Sequence, residues 1–327
     1  MSTNTDEDVT LSVVVFFRNE QAVIETCISS VMDQKDAIDQ LIVIDDGSND
    51  DSLQVVQQYL DASLPTHVIR HEQSQGINQC LNEGLAAAEG HWVHFLAGDD
   101  FVLPGFYGRS RDMLERNPTC GVCSAYVQDV DADGAPQGGI RTPAGSSTAG
   151  YISPDDVVAR LYKVGSWFEG VSCIFKRASL VRIGGFDPQL QGFADALCCW
   201  TIAAGEGACF IPEILASKRD VWKGHGFELY GDHAAAKRIW SRAEDVLRRQ
   251  QPQRFTDKVI ARFKKRWDFE QKHNAIMKAY FKDRGRNGFI AEFKKTLLTK
   301  IYEIYFKPFD VLTSVKTKMS KSFGGRP

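Results

Sequence analysis

Continuous apolar segments alternate with amphipathic segments along the first hundred residues. Leu11–Phe17 and residues 41–44 are unbroken apolar runs, which is typical of strands buried on both faces of a parallel sheet. Residues 68–69 begin a weaker third strand, and residues 91–97 form a fourth. Between the strands, apolar residues recur at helical spacing, as in residues 23–31. This alternation predicts an α/β fold with a doubly wound, mostly parallel sheet flanked by helices.

Shorter elements are predicted for the second half of the chain. We expect helices at 104–117, 154–162 and 193–204, and strands at 121–130, 170–176, 208–211 and 214–218. Pro104 suits the first turn of its helix, because proline lacks the N–H that a first turn leaves unpaired. Residues 138–150 are rich in Gly, Ser, Thr and Pro, which predicts a loop. Beyond residue 232 almost the whole chain has a helical pattern.

Composition indicates a globular protein without a membrane span. The chain has 327 residues, of which 43% are hydrophobic and 25% charged, and this length allows a substantial core. No run of eighteen apolar residues occurs, so no transmembrane helix is predicted. Residues 1–8 are polar and acidic, unlike a secretory signal, and we therefore expect a cytoplasmic protein.

The eight cysteines are expected to be structural thiols. Most lie within apolar periodic segments, where cysteine acts as a small hydrophobic residue. Cys120 and Cys123 have C-x-x-C spacing, but no second pair or histidine cluster completes a zinc site. A reducing cytosol also disfavours a disulfide.

Charge is distributed unevenly along the chain. Residues 254–327 carry 19 Lys and Arg against 7 Asp and Glu, which leaves 20 against 35 in the rest of the chain. Within residues 289–309, apolar and aromatic residues recur at helical spacing with lysines between them. Such a helix suits the cytoplasmic surface of a membrane, or it packs on the acidic body or on another protomer. Nucleic-acid binding is disfavoured, because no recognised module accompanies the basic residues.

Two acidic pairs follow neighbouring strands of the predicted sheet. Asp45-Asp46 follows the second strand, and Asp99-Asp100 follows the fourth. Ligands of an open α/β sheet bind beyond the carboxyl ends of its strands, and carboxylates there can hold a divalent cation. A single acidic pair can be explained as part of a turn or a helix cap. Ser48 or Asn49 would then cap a helix whose first turn contains residues 50 and 51. Two pairs at one edge favour a metal and nucleotide-sugar site.

Over about residues 10–220, the chain resembles the inverting family-two glycosyltransferases of GT-A fold. Ordered blocks carry the similarity: Arg18-Asn19-Glu20, Ile44-Asp-Asp-Gly-Ser48, Asp50-Asp51-Ser52, Gly76, Asn82-Glu83-Gly84, Gly90, Phe95-Leu-Ala-Gly-Asp-Asp100, Pro104, Phe175-Lys176-Arg177, Gly184-Gly-Phe-Asp187 and Ala194-Asp195. Together these blocks are specific for the family, whereas no single block is. The resemblance implies a Rossmann-like GT-A sheet with a helical C-terminal extension.

The resemblance also implies how a nucleotide-sugar donor would bind. Asp46 would hydrogen-bond the nucleobase, with Phe16 and Asn19 near it. Asp99 would contact the ribose. Asp100 would be the main protein ligand of a Mg²⁺ or Mn²⁺ ion that bridges the diphosphate.

Asp195 occupies the position of the family's general base. In an inverting transfer, an acceptor hydroxyl attacks the anomeric carbon as the nucleotide diphosphate leaves, so a base must accept the hydroxyl proton. The metal stabilises the charge that develops on the leaving group. The alternative for Asp195 is a helix N-cap.

Three residues depart from the family pattern. Ala97 replaces the first acid of the usual Asp-x-Asp motif. We therefore expect the activity to depend less strongly on a metal ion. Arg18 stands where many members have an aromatic residue that stacks on the base, although arginine can stack as well. Ala194 replaces a frequent Glu before the base.

The segment after residue 217 has two interpretations. Lys218 and Arg219 either approach the donor diphosphate, as basic residues do in many members, or form a solvated loop. We assign Arg219 to nucleotide-sugar binding. Phe263-Lys-Lys-Arg-Trp267 lacks the Gln of the processive synthases' Gln-x-x-Arg-Trp motif and lies too far along the chain, so processive synthesis is disfavoured.

The predicted organisation is a flexible segment at 1–9, a GT-A catalytic domain at 10–232 and a helical basic region at 233–327. Residues 10–103 would bind the nucleotide sugar and residues 104–232 the acceptor. The predicted function is transfer of one sugar to a hydroxyl of a glycan or lipid-linked acceptor, in surface polysaccharide or lipopolysaccharide synthesis. A non-catalytic glycan- or partner-binding relative is the alternative. A sugar-phosphate nucleotidyltransferase fits less well, because residues 16–20 lack a Gly-rich phosphate loop.

Overall fold

The computed structural model describes residues 9–140, 146–219 and 232–282. Within these ranges the strands form a ten-stranded sheet with helices on both faces. The predictions for the N-terminal segment 1–8 and for the amphipathic stretch at 289–309 lie outside the described residues.

The first half of the chain forms the parallel part of the sheet. Its strands are β1 (Leu11–Phe17), β2 (Gln40–Asp45), β3 (Thr66–Arg70) and β4 (Trp92–Ala97), in the spatial order β3-β2-β1-β4. The connecting helices are α1 (Ile24–Met32), α2 (Ser52–Gln57) and α3 (Ile77–Ala87), with a 3₁₀ turn at Lys35–Ala37. The predicted alternation of strands and helices is confirmed.

The second half adds antiparallel pairings. Its strands are β5 (Phe101–Val102), β6 (Val122–Val130), β7 (Pro136–Ile140), β8 (Gly150–Ile152), β9 (Ile174–Lys176) and β10 (Ala208–Arg219). The sheet continues from β4 through β9, β6 and β10 to β5, while β7 pairs with β6 and β8 with β10. Strand β9 is antiparallel to both of its neighbours, whereas β6 and β10 are parallel.

Helices of the second half cover the sheet. They are α4 (Phe106–Arg116), α5 (Pro154–Val164), α6 (Arg177–Arg182), α7 (Ala194–Glu206), α8 (His233–Gln250) and α9 (Asp257–Lys282), with 3₁₀ turns at Gly170–Ser172 and Pro188–Phe193. The helical pattern predicted beyond residue 232 is therefore confirmed as far as residue 282.

The structure corrects three predicted elements of the second half. Only residues 174–176 of the predicted strand 170–176 pair, because Gly170–Ser172 turns as a 3₁₀ helix. Residues 208–219 form one strand rather than two, with a register shift after Ile211. The predicted loop at 138–150 contains the end of β7 and the start of β8.

Two predicted helix starts were also wrong. Helix α2 begins at Ser52, so Asp50 and Asp51 precede it, and Asp50 accepts the Ser52 N–H at 3.0 Å. Ser48 accepts a hydrogen bond from the loop after β1 instead of capping α2. Pro104 precedes α4, whose N-cap is Gly105 with φ +87°.

Strand β1 separates two apolar clusters. Val13 and Val15 face the cluster that includes α1, α2 and α4, whereas Val14 faces the one that includes α3, α5, α7, α8 and α9. Helix α3 packs closely there, because a β-carbon on Gly84 would lie 2.5 Å from a Val14 methyl carbon. All eight cysteines are buried free thiols, as predicted. Burial on both faces is the reason for the continuous apolar sequence of β1.

The described C-terminal helices belong to the same core as the sheet. Trp267 on α9 packs on Phe193, with ring centroids 4.8 Å apart. Buried Arg266 donates to the carbonyls of Leu161, Tyr162 and Lys163 at the end of α5, whose last carbonyls have no partner within their own helix. Among the described helices, none combines the length and the apolar character that crossing a membrane requires.

A buried histidine ties the central strand to the turn at 170–172. His94 has no exposed surface; its Nε2 donates to the Val171 carbonyl at 3.0 Å, and its Nδ1 lies 3.1 Å from the Tyr107 hydroxyl. Burial lowers the pKa of His94 from 6.5 to about 4, although the bond to Val171 opposes the shift. His94 is therefore neutral in the folded protein at neutral pH.

If α9 completes the core, Trp267→Ala will lower the free energy of unfolding by about 3 kcal/mol, the usual cost of removing a large buried side chain. Lys264→Ala is the control on the same helix. Its exposed pair with Asp268 contributes less than about 1 kcal/mol. Urea denaturation measures both variants. Equal effects would mean that α9 does not share the core.

His94 will make stability fall with acid. The unfolded histidine takes up a proton as the pH falls through 6.5, whereas the folded one resists protonation down to about pH 4. The free energy of unfolding should therefore drop by about 1.4 kcal/mol per pH unit between these values from this group alone. His94→Gln should remove that part of the slope in denaturation curves at pH 4.5–7. An unchanged slope would mean that His94 titrates normally.

Candidate functional site

The ends of three parallel strands bring the predicted site together. In the register of the sheet, Phe17 of β1 lies opposite Asp45 of β2, and Phe16 lies opposite Ala97 of β4. The residues that follow these strands therefore emerge at one edge, as predicted for an open α/β sheet. Both acidic pairs lie at this edge.

Asp46 is buried and its carboxylate is fully bonded. Its Oδ1 accepts from His71 Nδ1 and the Gln75 N–H, both at 2.7 Å, and its Oδ2 accepts from the Ser74 hydroxyl at 2.6 Å and the Gly76 N–H at 3.1 Å. Burial alone would raise the pKa of Asp46, but these donors outweigh it and lower the pKa. A carboxylate has about four acceptor positions. A nucleobase N–H can reach Asp46 only in exchange for one of these donors.

His71 is held between two carboxylates, a feature that the sequence analysis missed. Its Nδ1 lies 2.7 Å from Asp46, and its Nε2 lies 2.7 Å from Glu83 Oε2. Burial disfavours the charged imidazolium, but the bonds to Asp46 and Glu83 outweigh burial and raise the pKa of His71. An imidazolium donates from both nitrogens, which matches this geometry. Glu83 was noted only as part of a family block.

Asn19 joins the loops that follow β1 and β2. Its backbone N–H donates to the Ser48 hydroxyl at 3.0 Å, and its side-chain oxygen accepts the Asn49 N–H at 2.9 Å. Asn19 has φ +55°, which asparagine tolerates better than most residues. Phe16 is half-buried against the core beneath this loop. The three residues predicted to surround a nucleobase, Phe16, Asn19 and Asp46, thus lie at the same strand ends.

Arg219 anchors the Asp99-Asp100 turn. Its backbone N–H donates to Asp100 Oδ1 at 2.9 Å, and its Nε donates to the Asp99 carbonyl at 2.9 Å. Its Nη1 donates to the Ala132 carbonyl at 2.6 Å, and the guanidinium lies 5.7 Å from the ring centre of Phe101. Arg219 is 5% exposed, so these contacts fix it in place. They make it a support for the acidic turn, and its contact with a donor stays a prediction.

Glu20 adds a third carboxyl group beside this turn. Burial, together with the charges of Asp99 and Asp50, raises the pKa of Glu20 to about 7, and the charge of Arg219 opposes this shift. Gly98 allows the close packing, since a β-carbon there would lie 2.6 Å from Phe17 Cβ and 3.6 Å from Glu20 Cγ. The sequence analysis gave Glu20 no role, although it stands in the block after β1.

The oxygen groups at this turn fit a hard divalent cation. Asp99, Asp100 and Glu20 offer carboxylate oxygens, which Mg²⁺ and Mn²⁺ prefer. Asp46, His71 and Cys80 also bring one potential ligand atom each within 4.8 Å of one another. That second group fits a metal poorly, because both nitrogens of His71 already face carboxylate oxygens at hydrogen-bond distance.

Asp195 lies in the first turn of α7 and is not its N-cap, which is Phe193. Its Oδ1 accepts the Ala196 N–H at 2.7 Å, and its Oδ2 lies 2.7 Å from where a β-carbon on Gly170 would be. A side chain at position 170 would displace the carboxylate from this position. Burial raises the pKa of Asp195, and the charge of Lys218 opposes the shift. Glu169, which the sequence analysis missed, raises it further.

Neighbouring residues of β10 serve both acidic centres. Arg219 bonds to Asp100, whereas Lys218 interacts electrostatically with Asp195 and lies 3.8 Å from Glu169. Because two consecutive residues reach the two centres, the end of β10 links the acidic turn to Asp195. The arrangement places the carboxyl groups of the acidic turn and the partly buried carboxylate of Asp195 at the end of the same strand.

Sequence comparison finds similarity to glycosyltransferases in the first half of the chain. The family described as "Glycosyl transferase family 2" matches residues 12–162. An uncharacterised glycosyltransferase of Bacillus subtilis, EpsJ, is 30% identical over 122 residues, which cover 37% of this chain and 35% of EpsJ. A B. subtilis protein named as a candidate teichuronic acid biosynthesis glycosyltransferase, TuaG, is 33% identical over 90 residues, or 28% of this chain and 36% of TuaG. These matches span about a third of each relative.

Structural comparison identifies the same fold in a solved enzyme. The crystal structure of S. aureus TarS 1–349 in complex with UDP-GlcNAc superposes with a TM-score of 0.62 at 16% sequence identity. The similarity covers 86% of this chain and 75% of that one. At this identity the likeness concerns the fold alone.

The position of His71 between Asp46 and Glu83 predicts that its contribution to the free energy of unfolding falls as the pH rises. A histidine with a raised pKa stabilises the folded state fully below pH 6.5, and the contribution disappears as the pH passes the raised value. His71→Gln should therefore be less stable than the wild type at pH 6 and differ less at pH 9. Urea denaturation across this range tests it, with the exposed His67→Gln as a control for loss of a histidine. A stability difference that is independent of pH would contradict a raised pKa of His71.

Proposed function

We propose, from the premise that this chain belongs to glycosyltransferase family 2 and has the GT-A fold, that it moves one sugar from a nucleotide diphosphate donor to a hydroxyl acceptor with inversion. The observation that carries the proposal is the link through β10 between Asp100 and Asp195. One centre suits the leaving diphosphate, and the other suits the incoming hydroxyl.

The nucleotide would lie across the ends of β1 and β2, near Phe16, Asn19 and Asp46. Asp46 can accept a base N–H at Oδ2 if the Ser74 hydroxyl rotates away, because a hydroxyl is free to turn about its C–O bond. Asp99 would contact the ribose, and the charge of Arg219 would favour the diphosphate. The complex of TarS with UDP-GlcNAc supports UDP-GlcNAc as the first donor to test.

Asp100 would hold a Mg²⁺ or Mn²⁺ ion, with Asp99 and Glu20 beside it. When bound, such an ion supplies positive charge that stabilises the departing diphosphate. Since Ala97 removes one acid of the usual motif, Glu20 is the nearby carboxyl group that can add to the negative charge of the site.

Asp195 would act on the acceptor. The acceptor oxygen forms a bond to the anomeric carbon as the bond from that carbon to the diphosphate breaks, and the hydroxyl proton passes to the Asp195 carboxylate. A raised pKa improves Asp195 as a base provided that it stays ionised, and the charge of Lys218 favours the ionised form. Gly170 leaves the carboxylate room at this position.

The acceptor would be a glycan or a lipid-linked sugar in surface polysaccharide or lipopolysaccharide assembly. The names of EpsJ and TuaG support an acceptor in polysaccharide synthesis. The amphipathic stretch at 289–309 would bind the cytoplasmic face of the inner membrane through its lysines.

A non-catalytic glycan-binding relative is the second candidate. It is favoured by Ala97 and Ala194, which stand where family members often carry acids. Such a protein would bind sugars without breaking the donor, so turnover separates the two functions.

Calorimetry with a panel of nucleotide diphosphate sugars, with and without Mn²⁺, tests the donor site. We expect one donor to bind with metal, Asp100→Asn to weaken binding at least tenfold, and Asp195→Asn to bind normally. Asp112→Asn, an exposed acid on α4, is the matched control.

Release of the nucleotide diphosphate from the bound donor, with water as acceptor, tests turnover. We expect Asp195→Asn to lose a factor of about 100 or more, as removal of a general base does. Binding without any turnover in the wild type would favour the non-catalytic candidate. Absence of donor binding under every metal condition would overturn the donor site.

A further inference from the structure

We infer that Asn78 is a positioning residue, which fixes the chain segment in front of Asp195 so that its carboxylate meets the acceptor. The inference rests on the proposed function, because it takes Asp195 as the base. The evidence is a strained peptide, the buried side chain that holds it, and the short path from both to Asp195.

Gln191 has an unusual backbone conformation. Its φ of +51° and ψ of −131° lie where a residue with a β-carbon is strained, and it belongs to the turn Pro188–Phe193. The Gln191 side chain is exposed, so its own packing does not impose this conformation. A strained residue persists only where the surrounding structure holds it.

Asn78 provides that hold. Its Nδ2 donates to the Gln191 carbonyl at 3.1 Å, across 113 positions of sequence. Asn78 is the second residue of α3 and is 7% exposed, so its carboxamide is shielded from competing water. The Gln191 carbonyl also accepts the Ala194 N–H, so Asn78 is its second donor. Without Asn78, the Ala194 N–H alone would hold this carbonyl, and the peptide could relax towards negative φ.

The same residue is close to the nucleotide end of the site. Gly76, two positions before Asn78, donates its N–H to the Asp46 carboxylate. The start of α3 therefore contacts the nucleotide loop on one side and the segment before Asp195 on the other. A shift of α3 would be felt at both centres.

The segment between Gln191 and Asp195 is also fixed at its middle residue, Phe193. Phe193 packs edge-on against Trp200, with centroids 5.3 Å apart, and on Trp267 of α9. The Asp195 carboxylate then lies against Gly170, which leaves it little room to move. Gln191 and Phe193 are thus two anchors of the segment that leads into α7, and release of the Gln191 peptide would leave Phe193 alone to hold the first turn of α7.

The test is donor hydrolysis by the full chain with UDP-GlcNAc and Mn²⁺, or with the donor that binds in the calorimetric panel. We expect Asn78→Ala to lower kcat about tenfold with the donor KM within threefold of wild type. In the double variant with Gln191→Gly, glycine adopts φ +51° without strain and should restore at least threefold of the lost kcat.

Asn82→Ala is the matched control. Asn82 also lies on α3 and exchanges two carboxamide hydrogen bonds of 2.8 Å with the backbone of Phe186, nine positions before Asp195. It should lower the thermal midpoint at least as much as Asn78→Ala, with less effect on kcat while the protein stays folded.

The outcomes separate the two hypotheses. If the wild type turns over the donor and Asp195→Asn does not, a kcat of Asn78→Ala within twofold of wild type overturns the positioning role alone. A loss of kcat that Gln191→Gly does not reverse, equal to that of Asn82→Ala, would also overturn it. If the wild type neither binds nor hydrolyses any donor, the proposed function and this inference fail together.

Discussion

The parallel register around β1 is the constraint on which the site depends. Because β2 and β4 both pair with β1, their ends are held at one level, and their polar loops meet at one edge. The apolar strands are buried between two layers of helices, so most of the charged residues lie beyond the ends of the strands. The chemistry of the protein is therefore concentrated where the core stops.

At that edge the negative charges are handled in two different ways. Asp46 is satisfied internally, by backbone donors and by an imidazolium that Glu83 also stabilises. The turn at Asp99 and Asp100 carries carboxyl groups crowded beside Glu20, and the guanidinium of Arg219 is bonded mainly to backbone carbonyls. The first arrangement holds its carboxylate rigidly, whereas the second brings together carboxyl groups of the kind that divalent cations prefer.

The described C-terminal helices pack against the segment that precedes Asp195. Helix α9 packs on Phe193 and α8 contributes Trp240 to the same cluster, so the aromatic contacts end one turn from Asp195. Arg266 closes the end of α5 from the opposite side. The described side chains of residues 233–269 thus contribute to the core. The predicted surface role of the basic tail concerns the later residues.

The sequence by itself determined the alternation of buried strands and helices, the sheet edge and its acidic pairs, because these follow from apolar runs and from the residues that interrupt them. Local sequence did not predict the extent of strands that depends on pairing with a distant strand. Residues 170–176 have an apolar pattern, yet only three of them find a partner strand, and the pattern at 208–219 conceals one irregular strand. The tertiary structure alone decided that His71 lies between Asp46 and Glu83, that Glu169 and Lys218 neighbour Asp195, and that Asn78 holds Gln191. These contacts join residues far apart in the chain, and their spacing leaves no periodic signal in the sequence.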